Sequence, residues 1–85
     1  IFSSERDDKD HWVRAGRAYQ RFALKATDLG IRNAHLNQPI EVGAVRPELT
    51  SALGLGSNRL DMLIRFGMAE AMPMSLRRPV DSVIL

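Results

Sequence analysis

Arg77 and Arg78 are the residues in this chain best suited to chemistry. They are adjacent, precede Pro79 and follow Pro73, so the backbone should present them from an extended segment. Each guanidinium is a planar fork that matches the oxygens of a carboxylate or phosphate in pairs. A phosphate monoester is the natural guest for two such forks. The competing reading is two exposed arginines that pair with nearby carboxylates. A second candidate is the loop at residues 37–43, which is rich in amide groups that can offer main-chain and side-chain donors to a ligand.

Other chemistries find little support. His11 and His35 lie far apart, with no second ligand at helical spacing to either, so no metal centre is expected. The acidic run at residues 5–10, ERDDKD, lacks the spacing and glycine of a calcium loop. No serine, histidine and acid fall into a nucleophile pattern, and there is no GxxxxGKS phosphate loop. Gly54-Leu55-Gly56 follows a helix rather than a strand, as two loop glycines do. These patterns argue against hydrolase or nucleotide-triphosphatase function.

The formal charge is only +2, but ten of the twelve basic residues are arginine, which points towards phosphate or carboxylate partners. Arg14, Arg17, Arg21 and Lys25 recur along one side of a helix. Such a stripe can follow a nucleic-acid backbone but reads no sequence, and it suits a solvated or interface face better. There is no cysteine, which excludes disulfides and thiolate zinc sites and fits a reducing compartment such as the cytoplasm. No apolar run approaches the roughly 20 residues of a membrane span. No signal-peptide pattern is present. The opening Ile1-Phe2-Ser3 leads us to expect a piece of a longer protein.

The elements that must position these residues are few, because 85 residues make at most one small domain. Residues 1–9 read as a loop. Residues 10–30 carry the strongest helical pattern: Trp12, Ala15, Tyr19, Phe22, Ala26 and Leu29 share one face. Asp10 is placed to cap this helix, and Gly30 to end it in a left-handed conformation with Ile31 folding back. Val13 and Leu24 fall outside the stripe, so the apolar arc looks wide enough to need cover from elsewhere. A very short strand is expected at residues 34–36 and a loop at 37–43. A second helix is expected at residues 47–53, with Pro47 at its first position and Gly54 after its last. Residues 60–68 alternate strictly, which predicts one half-buried strand. The tail from Ala71 should be extended, with Val80, Val83, Ile84 and Leu85 available for docking.

In this order the pieces resemble the C-terminal part of the nitroreductase family, closest to the Acg-like branch of actinobacteria. The likeness rests on W-x2-AG-x-A-x-Q-x2-AL-x-AT-x-LG at residues 12–30 and A-H-L-N-Q-P at 34–39. It continues with L-I-R-F-G at 63–67 and S-x-R-R-P-V at 75–80. The resemblance implies an α+β chain, residues 1–85, that forms the incomplete C-terminal part of one FMN-binding domain. It implies FMN as cofactor and NADH or NADPH as reductant of nitro compounds or quinones, or else flavin storage. By position, Arg77 and Arg78 match the residues that hold the FMN phosphate, and Leu36, Asn37 and Gln38 match the loop beside the flavin. The family's N-terminal flavin motif is absent, so this piece alone should be inactive, and no catalytic proton donor is evident. Expected partners are flavin, a small-molecule substrate, and the rest of the parent chain or a second copy, since the family's flavin lies between two protomers or halves. Two other readings stand beside this one. Residues 49–64 have the cadence of a helix-turn-helix with Arg59 on its second helix, which requires residues 60–68 to be helical. The third is a non-catalytic oligomerisation module.

Overall fold

The computed structural model describes residues 1–84. It is an α+β arrangement in which one long helix, α1 (Lys9–Asp28), packs against two small antiparallel sheets. The first sheet pairs β1 (Phe2–Ser4) with β3 (Arg59–Met62), and the second pairs β2 (Arg32–His35) with β4 (Ile64–Gly67). Two short helices, α2 (Gln38–Glu41) and α3 (Arg46–Ala52), fill the connection between β2 and β3. No helix among the described residues is long and apolar enough to cross a membrane.

The ends of α1 follow local rules. Asp8, not Asp10, is the cap: its Oδ1 accepts the His11 N–H at 2.9 Å. The cap therefore lies two residues earlier than expected, and Asp10 instead pairs with Arg14 at 2.9 Å. At the other end Gly30 takes φ 71°, and the N–H groups of Gly30 and Ile31 bond the carbonyls of Thr27 and Ala26. These two bonds satisfy carbonyls that the helix leaves open, and the left-handed turn is cheap only for glycine. Gly54 (φ 66°) ends α3 in the same way, with Leu55 N–H bonded to the Thr50 carbonyl.

The cap carries a pH prediction. The His11 backbone N–H, then the His11 ring, hold the Asp8 carboxyl below its ordinary 3.8. A carboxyl lowered in the folded state adds stability that is full above 3.8 and disappears as pH falls through the lowered folded value. Asp8→Asn should therefore be less stable than wild type at neutral pH, with the gap closing in acid. Helix melts by circular dichroism at pH 7 and pH 2.5–4 check this; a gap that stays constant with pH refutes it.

Four further sequence expectations are corrected. Residues 1–9 contain β1, because Phe2 turns inward onto Tyr19 and Phe22 at ring distances of 6.1 and 6.0 Å. Residues 37–43, expected as loop, hold the helical turn α2, which buries Ile40. Residues 60–68, expected as one strand, form two. The chain changes partner at Leu63, whose N–H donates to Asn37 Oδ1 and whose carbonyl accepts the Leu36 N–H. The alternating pattern is preserved across the break, since Leu60 and Ile64 are both buried. The β2 strand also begins two residues earlier than expected, at Arg32.

The core is small: Ala26, Ile40, Leu60 and Ile64 are the buried apolar residues. An aromatic chain continues it, with Phe22 edge-on to Phe66 at 5.4 Å and Tyr19 against His35 at 4.7 Å. Tyr19 also donates to Asn33 Oδ1 at 3.1 Å, which ties α1 to β2. Val13 and Leu24 stay exposed, as do about half of Trp12 and most of Leu29. Every residue from 65 to 84 is exposed. The radius of gyration is 16.2 Å, well above the roughly 12 Å of a compact domain of this length, because this arm leaves the body. A 3-10 turn at Val80–Ser82 interrupts the extended arm. Leu85, expected to dock with the tail, lies outside the described residues.

Candidate functional site

Arg77 and Arg78 lie on the arm, just before the turn that Ser82 Oγ closes by donating to the Pro79 carbonyl at 2.7 Å. Both are exposed, and among the described residues neither makes an ion pair or side-chain hydrogen bond. The local-pairing alternative for these two arginines therefore has no carboxylate behind it here.

Leu36, Asn37 and Gln38 sit between β2 and α2. Leu36 is exposed, and its N–H is held by Leu63 at 2.8 Å. Asn37 is half-buried, and its Oδ1 takes the Leu63 N–H at 3.2 Å. Its backbone carbonyl accepts from Ile40 and Glu41, so Asn37 is first of all a hinge pin for the strand change. The exposed Gln38 amide and the Asn37 NH2 are the donors left for a ligand. Neither this loop nor the arginine pair lines any of the three grooves described here.

The structure adds a cluster that sequence spacing did not single out. Arg59 Nη1 donates to Asp61 Oδ1 at 2.6 Å, and Arg59 Nε lies 3.1 Å from Asp7 Oδ1. The second contact has ion-pair distance but not hydrogen-bond direction, so Arg59 Nε is left without a directed acceptor. Trp12 donates to the same Asp7 oxygen at 2.8 Å and lies 5.9 Å beneath the Arg59 guanidinium. The Asp61 side chain is only 4% exposed and its Oδ2 has no partner. The cluster clamps β3 to the start of α1. Its one legible signal was Arg59 and Asp61 standing two apart, on one side of a strand.

Asp8, Asp10 and His11 bring three potential ligand atoms within 4.8 Å. Asp8 Oδ1 already takes the His11 N–H and the ring Nδ1 at 2.7 Å, and Asp10 is paired with Arg14. This is a helix start with its acids in use. Arg14, Arg17 and Arg21 flank a shallow cleft along α1, and Lys25 bonds Asp28 at 2.8 Å. A deeper groove of about 650 Å³ lies between α3 and the loop before β3, with Arg46, Thr50, Ser57 and Arg59 on its walls. Arg46 is partly engaged there, donating to the Ile40 carbonyl at 2.6 Å. A third groove, of about 620 Å³, runs beside β2 and β4. No family model, curated protein or solved structure matches this chain.

Proposed function

We propose that this chain is the C-terminal part of an FMN-binding, NAD(P)H-dependent oxidoreductase of the nitroreductase type. The observation that carries the reading is the arm: Arg77 and Arg78 are both exposed, both unpaired among the described residues, and close to a proline that stiffens the backbone. Two such forks suit the dianionic phosphate of FMN. Asn37 NH2 and the Gln38 amide are the donors for the flavin's polar edge, while the ring system itself supplies the hydride chemistry when bound. The substrate would be a nitro compound or a quinone, unless the parent stores its flavin. A second protein body is needed to close this site, either the rest of the parent or another copy. The exposed Met72, Met74 and Leu76 on the arm, and Val13 and Leu24 on α1, are the surfaces that such a body would cover. A cysteine-free chain of this kind suits the cytoplasm.

The helix-turn-helix reading loses its second helix, because residues 59–67 are β3 and β4. The oligomerisation reading shares the exposed arm with the flavoprotein reading but leaves the arginine pair without a role.

The test is an FMN titration, followed by flavin fluorescence, on the intact parent and on this chain. Arg77→Ala with Arg78→Ala should weaken binding to the parent by about 1.5–3 kcal/mol per lost charge-assisted bond. Binding that survives the double substitution unchanged, or a parent that ignores FMN, defeats the proposal.

A further inference from the structure

The β2–β4 ribbon has two unlike faces. Register places Arg32 opposite Gly67, Asn33 opposite Phe66, Ala34 opposite Arg65 and His35 opposite Ile64. Directly opposed residues share a face, and so do alternate residues along each strand. Asn33, His35, Ile64 and Phe66 therefore form one face, and it is the one that meets Tyr19 and Phe22 of α1. The other face carries Arg32, Ala34, Arg65 and Gly67, away from α1.

On this outer face Arg32 and Arg65 are diagonal neighbours, whose Cβ atoms in such a ladder stand roughly 7–8 Å apart. Long side chains at that spacing can converge on one small group. The residues opposite them, Gly67 and Ala34, are the two smallest on the ribbon, so nothing bulky stands between the forks. Space at Gly67 is open, since a Cβ there meets no atom within 4 Å. Both arginines are exposed, and among the described residues neither guanidinium has an ion pair or hydrogen bond. The two are diagonal rather than directly opposed, so they can both stay charged on this face with their forks free to meet an anion.

All four of these outer-face residues line the groove of about 620 Å³. The groove wraps the end of the ribbon, so Thr27 of α1 and Asn33 and Phe66 of the inner face also line it. Beside them are apolar Ile31, Met68 and Met72, and Glu70, which among the described residues makes no ion pair with either arginine. An apolar wall beside paired cations is the usual form of a site for a small molecule with one charged end. We infer that the outer face of the β2–β4 ribbon binds a small organic anion, a carboxylate or phosphate monoester with an apolar body, through Arg32 and Arg65. The site is separate from the Arg77–Arg78 arm and stands whether or not the parent binds FMN.

Phenyl phosphate, benzoate and inorganic phosphate, titrated separately into the isotope-labelled chain and followed by NMR, test this. Phenyl phosphate should shift the amides of β2 and β4 and bind more tightly than inorganic phosphate, because its ring meets Ile31 and the methionines. Benzoate binding as well as phenyl phosphate assigns the natural ligand to carboxylates; phenyl phosphate well ahead of benzoate assigns it to phosphate esters. R32Q with R65Q should weaken phenyl phosphate by about tenfold or more, as expected for losing charge-assisted bonds. R77A with R78A should leave it unchanged. G67E needs no folding rescue, since its side chain enters open space at an ordinary φ, and its carboxylate opposite Arg32 should quench the site. Circular dichroism of each variant confirms the fold. The inference is overturned if R32Q/R65Q or G67E binds as wild type does, if R77A/R78A abolishes binding, or if none of the probes shifts these amides.

Discussion

Leu60→Ala should leave the chain largely unfolded at 25 °C. Among the described residues Leu60 is the one large side chain with no exposed surface, and it sits on β3 where α1, α2 and α3 all come close. Removing a buried leucine side chain costs about 2–5 kcal/mol, through lost transfer energy and the cavity left behind. Domains near this size seldom have more than about 3–5 kcal/mol in total from one hydrophobic core. With only Ala26, Ile40 and Ile64 as buried neighbours in the apolar set, little material is available to refill the space. The loss is therefore comparable to the whole stability. Urea unfolding followed by far-ultraviolet circular dichroism measures it, with Met74→Ala on the exposed arm as the control that should not move. A Leu60→Ala midpoint equal to wild type would show that the core lies elsewhere.

The second large effect is expected at Arg59. Arg59→Met keeps most of the side-chain volume over Trp12 but removes the cation that Asp61 faces. Asp61 is then a nearly enclosed carboxylate with neither oxygen bonded, since Oδ2 already lacks a partner. Breaking a buried pair from one side costs about 3–5 kcal/mol, because it strands the other charge. Arg59 itself is a quarter exposed, and Asp7 is solvent-exposed and keeps its bond from Trp12, so the lower end of that range is the better expectation. Replacing both members, Arg59→Met with Asp61→Leu, should recover most of the loss, because no charge is left to desolvate. Equilibrium unfolding of the two singles and the double forms the cycle. If Arg59→Met alone costs nothing, or the double is worse than the single, the clamp is not what secures β3 to α1.

Much of the fold was legible because it obeys local rules. The stripe from Ala15 to Ala26 is a 3.6-residue pattern, and Gly30 and Gly54 stop their helices where left-handed turns are needed. Pro47 opens α3 as its geometry allows. The alternation of Leu60, Met62 and Ile64 identified extended chain and its buried side as far as Ile64, but Phe66 and Met68 on the same side are exposed and the Asp61 side chain on the other is enclosed. The candidate site was legible only as residue types. Arg77 and Arg78 are an arginine pair in any conformation, but their exposure on an arm depends on what the arm packs against. Asn37 looked like a free amide, whereas its Oδ1 is committed to Leu63.

Local sequence settled the α+β class, the long helix and its C-terminal stop, the short helix after Pro47, and the extended character of residues 60–67. Each depends on neighbours within about one helical turn or one strand, which the sequence displays directly. Only the tertiary structure decided that residues 2–4 join a sheet, that the chain from Arg59 to Gly67 changes partner at Leu63, and which residues face away from α1. Strand pairing joins residues some 30 to 60 positions apart, and register then decides which arginines share a face. A sequence pattern gives the period of a strand, but the side it turns outward is set by what packs against it.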